Sequence, residues 1–260
     1  MIYIKTEEEI ELMKQSNMLV SETLAQIARI IQPGVSTLQL DKLAEEFLRD
    51  HGGVPGFLGY DGFPNTLCTS VNSAVVHGIP SDYRLEDGDI ISVDCGVKLN
   101  GFFGDSAYTF EVGTVDLATH ELLETTKEAL FVGIELAQEG NRLGDIGHAI
   151  QQHAEERGYS VVREMVGHGL GKYLHEEPEV PNYGRRGSGI KLKKGMVFCL
   201  EPMINMGDRY IRQDPDGWTI RTSDNKPSAH FELAVAVTKG EPVILSTFDL
   251  IEVELKNKSS

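Results

Sequence analysis

At 260 residues, 40% of them hydrophobic and 25% charged, the chain is long enough to bury a sizeable core in one large domain or two small ones. Lys and Arg total 24 against 40 Asp and Glu, and the net charge of −16 disfavours a nonspecific grip on nucleic acid or on an anionic membrane. No apolar run approaches the roughly eighteen residues of a membrane span, and the first residues lack the basic-then-apolar order of a secretory signal.

Thr6 followed by Glu7, Glu8 and Glu9 reads as a helix N-cap with an acidic first turn. Ile10, Met13, Leu19, Leu24, Ile27 and Ile31 then keep helical spacing until Pro33-Gly34. A second helix is predicted over 36–50, with Leu40, Leu43, Phe47 and Leu48 inward, stopping at Gly52-Gly53. Residues 54–65 read as a loop, and strand-like runs follow at 67–76, 89–99 and 102–112. Helical periodicity resumes over 116–138 and 142–157, and strands return at 160–166, 196–204 and 229–238. Residues 256–260 read as a flexible tail behind a single domain over 1–255. Gly34 to Gly52 and Gly140 to Gly158 superpose at a constant offset, Leu40 falling on Ile146 and Leu43 on Ala149. Such an internal duplication implies two related halves with a site between them.

Asn100-Gly101 between two apolar runs is the strongest short-range signal for a two-residue hairpin. It pairs Leu99 with Phe102, Lys98 with Phe103 and Gly96 with Asp105, which makes Asp94 and Asp105 diagonal neighbours on one strand face. Burial of two such carboxylates raises their pKa strongly unless a cation intervenes. The anomaly recurs at Glu201, in the apolar run 196–204, and at Glu232, in 229–237. Acidic residues are rarely buried unpaired, and no matching Lys or Arg accompanies these.

His168 lies among alternating glycines in GHGLG, with His175 shortly after it. That glycine content argues against a helical histidine pair and for an extended turn whose backbone passes close to a site. His77 ends a strand-like run; His51, His120, His148, His153 and His230 show no converging pattern and read as surface or packing residues. Cys68, Cys95 and Cys199 are odd in number, far apart and outside any CxxC pair, so reduced thiols in the cytoplasm are expected. Four carboxylates carry the charge that two divalent cations would balance, and one imidazole with no thiolate suits Mn, Fe(II), Co or Zn. Paired cations of that kind activate water and polarise carbonyl or phosphoryl oxygens. The residues thus point to a dinuclear hydrolase and leave the bond open. No GxSxG elbow, P-loop or dinucleotide-binding glycine motif competes.

The ordered set Asp94, Asp105, His168, Glu201 and Glu232, in the contexts VVHGIP, ISVDCGV, GFFGDSAYTF, GHGLGKYLHEEPEVPNYG and FCLEPMI, resembles the type I methionine aminopeptidases over nearly the whole chain. The resemblance implies an α+β pita-bread (creatinase/aminopeptidase) fold, two pseudo-symmetric α/β halves around a curved antiparallel sheet. It implies removal of the N-terminal methionine from peptides and nascent chains, with a small second residue preferred. Asp94 would chelate one metal, Asp105 and Glu232 would bridge both, and His168 and Glu201 would complete the other. Glu201 would also take a proton from the attacking water, His77 would contact the scissile amide, and His175 would stabilise the tetrahedral oxyanion. Phe57, Tyr60, Phe63, Cys68, Leu174 and Trp218 would line a pocket whose sulfur-tolerant walls suit a thioether. Phe57 stands where relatives often have Cys, Phe63 where Tyr is common and Leu174 where Phe is common. The chain looks like the short bacterial form, a cytoplasmic monomer. Arg185, Arg186, Lys191, Lys193 and Lys194 form a basic stretch that would contact ribosomal RNA. Two rival readings are the Xaa-Pro aminopeptidases and dipeptidases, which share the ligands, and a non-catalytic binding protein on the same fold.

Overall fold

Thr6 starts the first helix by a reciprocal exchange: its hydroxyl accepts from the Glu9 N–H at 3.2 Å, and the Glu9 carboxylate accepts from the Thr6 N–H at 3.1 Å. Ser36 and Gln39 start the second helix in the same way. The computed structural model describes residues 1–259. Its first half runs α1 (Glu7–Ile30), α2 (Thr37–Asp50), β1 (Val54–Pro55), a 3-10 turn (Tyr60–Gly62), β2 (Leu67–Val71), β3 (Ala74–Val76), β4 (Ile90–Leu99) and β5 (Phe102–Glu111). Then come α3 (Leu117–Glu135), α4 (Leu143–Glu155), β6 (Ser160–Val161), β7 (Gly167–Gly169), β8 (Glu176–Val180), β9 (Val197–Leu200) and β10 (Met203–Asn205). The chain closes with β11 (Ile211–Gln213), β12 (Ile220–Thr222), β13 (Ser228–His230), β14 (Glu232–Ala236), β15 (Val243–Ile244) and α5 (Asp249–Ser259).

The main sheet has nine strands, ordered β1-β4-β5-β14-β9-β7-β8 with β2 added on β4 and β15 on β14, and its pairs are antiparallel. α1 packs across β4 and β5, while α3 packs on β9, β13 and β14. Leu24, Ile27, Leu40, Leu48, Ile91 and Val93 join Leu130, Ile146, Ile150, Phe198 and Val235 in one buried core. Gly104 sets which side of the sheet faces this layer. A Cβ there would stand 2.5 Å from the backbone of Ser16 on α1, so Gly104 is the close-approach point. Strand alternation then turns its neighbour Asp105 to the opposite face.

Five expected elements differ in the structure. The run 67–76 is two strands, β2 and β3, parted at Asn72, which adopts φ +53. The run 196–204 breaks at Glu201-Pro202, where proline has no N–H to give a ladder, and 229–238 breaks at Phe231. Both breaks are places where the chain leaves one sheet for another: β9 and β14 belong to the large sheet, β10 and β13 to a small one. Only Ser160–Val161 of the run 160–166 is strand. The residues from Lys256, expected as a loose tail, continue α5 to Ser259. That helix is anchored rather than intrinsically favoured: Ile251 is fully buried, Glu254 pairs with Arg29 at 2.7 Å, and the Lys258 ammonium donates to the Ile31 carbonyl.

Candidate active site

The hairpin register is the one that Asn100-Gly101 predicts. Both turn residues take positive φ, 53° and 84°, as a type I′ turn requires, and Gly96 faces Asp105. Asp94 pairs with Ala107 of β5, and Ala107 pairs in turn with Glu232 of β14. Leu233 lies opposite Leu200, so the next step along that register sets Glu232 against Glu201. Asp94, Ala107, Glu232 and Glu201 therefore form one cross-strand row, and directly opposed residues share a face. Asp105 lies two residues from Ala107 and shares that face as well. The register that sets Gly169 opposite Phe198 brings His168 alongside Cys199, two residues before Glu201. Four strands, β4, β5, β7 and β14, and the residue that follows β9 thus deliver five side chains to one spot.

His168 Nε2 lies 3.6 Å from Glu201 Oε1 and 3.8 Å from Asp105 Oδ2. Asp105, His168, Cys199 and Glu232 each offer one atom within 4.8 Å of the others. Among the described residues no Lys or Arg pairs with Asp94, Asp105, Glu201 or Glu232; only histidines approach them. Burial lifts the Asp94 carboxyl to about 7, and it lifts Asp105, Glu201 and Glu232 well above the usual range, with neighbouring carboxylates adding to the effect. Burial and then His175 hold His168 down to about 3, a neutral imidazole. Asp94 Oδ1, Asp105 Oδ1, Glu201 Oε1 and Glu232 Oε1 are buried without a hydrogen-bond partner. Such orphaned oxygens normally cost about 1–3 kcal/mol each, and they fit the demand of divalent cations. The cluster is chemically suited to metal.

A cavity of about 570 Å³ opens above the cluster and is lined by Phe57, Tyr60, Phe63, Cys68, His77, Leu174, His175 and Trp218 together with Asp94, Asp105, His168, Glu201 and Glu232. Every residue that the sequence reading places at the site is here. Phe63 and Trp218 meet edge-on at 5.1 Å. The Tyr60 hydroxyl lies 2.8 Å from His175 Nδ1. His77 sits at φ +60, a rare conformation for a residue with a side chain, and burial and then His175 lower it to about 4. Gly96 seats one wall of the cavity: a Cβ there would stand 2.4 Å from the Phe57 ring.

Two residues escaped the sequence reading. His230, read as surface or packing, is 2% exposed, and its Nε2 lies 4.0 Å from both Glu201 Oε2 and Glu232 Oε2. Cys199 is fully buried, and its Sγ lies within 4.8 Å of ligand atoms of Asp105, His168 and Glu232. Each stands two positions before an acid of the cluster, a period-2 signal that was present in the sequence. Asp61, Met165, Val166, Gly167, Glu176, Glu177 and Glu179 also line the cavity.

Buried carboxylates without a cationic partner, under a cavity with apolar walls, are the site of a metal-dependent hydrolase. The profile of metallopeptidase family M24 matches residues 11–239. A methionine aminopeptidase of Clostridium perfringens is 50% identical over 246 residues, 95% of this chain and 99% of its own. The crystal structure of methionine aminopeptidase from Rickettsia prowazekii superposes with a TM-score of 0.94 at 43% identity, covering 95% of this chain and 100% of that one. The chain therefore belongs to metallopeptidase family M24 and, within it, to the methionine aminopeptidases, a metal-dependent aminopeptidase on the pita-bread fold. The Xaa-Pro dipeptidase of Bacillus anthracis shares that fold at 22% identity and a TM-score of 0.77, but this chain covers only 62% of it.

Proposed function

We propose that the enzyme removes the N-terminal methionine from peptides and nascent chains, with two divalent ions and a preference for a small second residue. The observation that carries this reading is the set of four buried, unpartnered carboxylate oxygens directly beneath an apolar, sulfur-tolerant cavity. Asp94, Asp105, His168, Glu201 and Glu232 would hold the ions, and Mn, Fe(II), Co or Zn all suit that donor set. Cations bound there would offset the carboxylate charge and supply Lewis-acid activation of water and of the scissile carbonyl.

The protein groups divide the remaining work. Phe57, Tyr60, Phe63, Cys68, Leu174 and Trp218 bind the methionine side chain, and their close packing excludes water from it. Glu201 is the base, placed in the cluster beside the ions to take a proton from water and return it to the leaving nitrogen. With the Tyr60 O–H donating to His175 Nδ1, the ring's remaining proton sits on Nε2, where it can donate to the developing oxyanion. His77 contacts the scissile amide from its constrained position at the end of β3.

The catalytic domain over 1–255 is built of two related halves, α1 and α2 leading the first, α3 and α4 the second, and it acts as a monomer in the cytoplasm. No helix among the described residues is long and apolar enough to cross a membrane. Arg185, Arg186, Lys191, Lys193 and Lys194 are exposed and would meet ribosomal RNA. Unchanged cosedimentation with ribosomes after reversing those charges would remove that contact from the scheme. Titration of metal-stripped protein with Mn²⁺ tests the cluster: two equivalents support it and a single equivalent contradicts it. Met-Ala-Ser turned over well ahead of Met-Lys-Ser supports the second-residue preference, and equal rates contradict it.

A further inference from the structure

Nothing in the catalytic scheme uses His230, yet it stands against two of the acids that would hold the ions. It ends β13, in the small sheet, while Glu232 begins β14 in the large one, so the histidine occupies the junction where the chain changes sheets. Its backbone has little freedom there. The His230 N–H donates to Thr109 Oγ1 at 2.9 Å, Thr109 Oγ1 donates to the His230 carbonyl at 2.7 Å, and Met203 pairs with His230 across β10. Ser92 Oγ in turn lies 2.8 Å from Thr109 Oγ1, which ties this lock to β4. From that fixed base the imidazole directs Nε2 at Glu201 Oε2 and Glu232 Oε2, 4.0 Å from each, and Nε2 is buried without a hydrogen-bond partner.

The unpartnered atoms on both sides are complementary. A neutral imidazole can carry one N–H, whereas an ionised carboxylate only accepts and has lone pairs to spare on each oxygen. On both glutamates Oε2 is turned toward His230, while Oε1 is the oxygen left without a partner. Glu201 Oε1 faces His168 Nε2 at 3.6 Å, on the side of the other ligands. We propose that His230 is a positioning residue of the metal centre, an Nε2–H donor between Glu201 and Glu232 that holds both carboxylates from the Oε2 side and turns their Oε1 atoms toward the other ligands. This rests on the reading of the cluster as a metal site. Partners that orient ligands in this way change metal affinity about 10–100-fold when they are removed.

The test compares Mn²⁺ binding by calorimetry in metal-stripped wild type, His230→Leu and His230→Gln, with circular dichroism to show that each is folded. The leucine fills space without a donor, and the glutamine keeps an N–H of similar reach. The expected result is a Kd about 10–100-fold weaker for His230→Leu and within about threefold of wild type for His230→Gln. Wild-type affinity in a folded His230→Leu would overturn the proposal, as would His230→Gln binding as weakly as the leucine variant. Where the leucine variant does not fold, the ¹⁵N shifts of His230 in the wild type, with Zn²⁺ added, decide instead. A protonated Nε2 supports the donor role, and a metal-ligated or proton-free Nε2 refutes it. A wild type that takes up no Mn²⁺ fails the metal-site reading itself, an outcome distinct from normal uptake by His230→Leu.

Discussion

Replacing Lys5 by Met should damage the enzyme from a distance. The Lys5 ammonium pairs with the Glu176 carboxylate, and the two side chains are only 5% and 3% exposed. Their backbone settings are fixed separately: the Lys5 N–H donates to the Gly195 carbonyl at 2.7 Å, and Glu176 Oε1 accepts from the Tyr173 N–H at 3.2 Å. Lys5→Met therefore fills the same space and leaves Glu176 charged, buried and short of its counter-ion. Removing one partner of a buried pair costs about 3–5 kcal/mol. At about 2–4 °C per kcal/mol for a chain of this size, Tm should fall by about 6–20 °C. Glu176 follows His175 directly, and Leu174 belongs to the same segment, so kcat should fall together with stability. Thermal and urea unfolding of Lys5→Met, Glu176→Gln and the double variant would measure the effect. The double variant removes the stranded charge and should recover most of the loss seen in Lys5→Met. A loss below about 1 kcal/mol in Lys5→Met, the range of a surface pair, would refute the reasoning.

Metal removal should make stability depend on pH. Asp94, with a folded pKa of about 7, lies above its unfolded value, so the stability it adds at low pH is lost between that unfolded value and about 7, and Asp105, Glu201 and Glu232, raised well above their ordinary values, carry the loss to higher pH. The depressed His168 and His230 act in the opposite direction, but only below their unfolded value of about 6.5. Across pH 6.5–8.5 the Tm of metal-stripped protein should therefore fall while that of Mn²⁺-loaded protein holds; parallel curves would contradict the role of the acids. Glu201→Ala should lower kcat by about 10³-fold or more, losing both a ligand and the base, and near-normal turnover in a stopped assay would contradict that assignment. Gly96→Ala should drive the Phe57 ring, 2.4 Å from the new Cβ, toward the methionine pocket. Its kcat/KM for Met-Ala-Ser should drop about 10–200-fold and recover in part with Phe57→Ala, and an unchanged value would show that the ring yields elsewhere.

Local signals carried the sequence reading furthest. Asn100-Gly101 sets a register by turn geometry alone, so the Asp94–Asp105 pairing could be read without knowing the rest of the sheet. Glu201 and Glu232 stood out as acids in apolar runs, but their convergence depends on β5, β14 and β9 being neighbours, a non-local fact. The family resemblance, not periodicity, supplied Phe57, Tyr60, Phe63, Leu174 and Trp218, because an apolar pocket wall looks like core in sequence. His230 was legible in principle, two positions before Glu232, yet a histidine beside apolar residues does not announce which sheet it serves. The Lys5–Glu176 pair spans 171 positions and left no trace. α5 was missed for a different reason: Ile251 and Leu255 alone mark its apolar side, and its anchoring comes from α1 and the segment after it.

The central claim is that this cluster and this cavity together remove a terminal methionine. The most direct test is release of the first residue from Met-Ala-Ser, Met-Lys-Ser, Leu-Ala-Ser and Ala-Pro-Ala by metal-stripped enzyme, repeated after adding back Mn²⁺, Co²⁺, Fe²⁺ or Zn²⁺. Metal-dependent cleavage of Met-Ala-Ser, with Leu-Ala-Ser and Ala-Pro-Ala left intact, is the predicted result. Cleavage of Ala-Pro-Ala instead, or no cleavage with any metal, would contradict it.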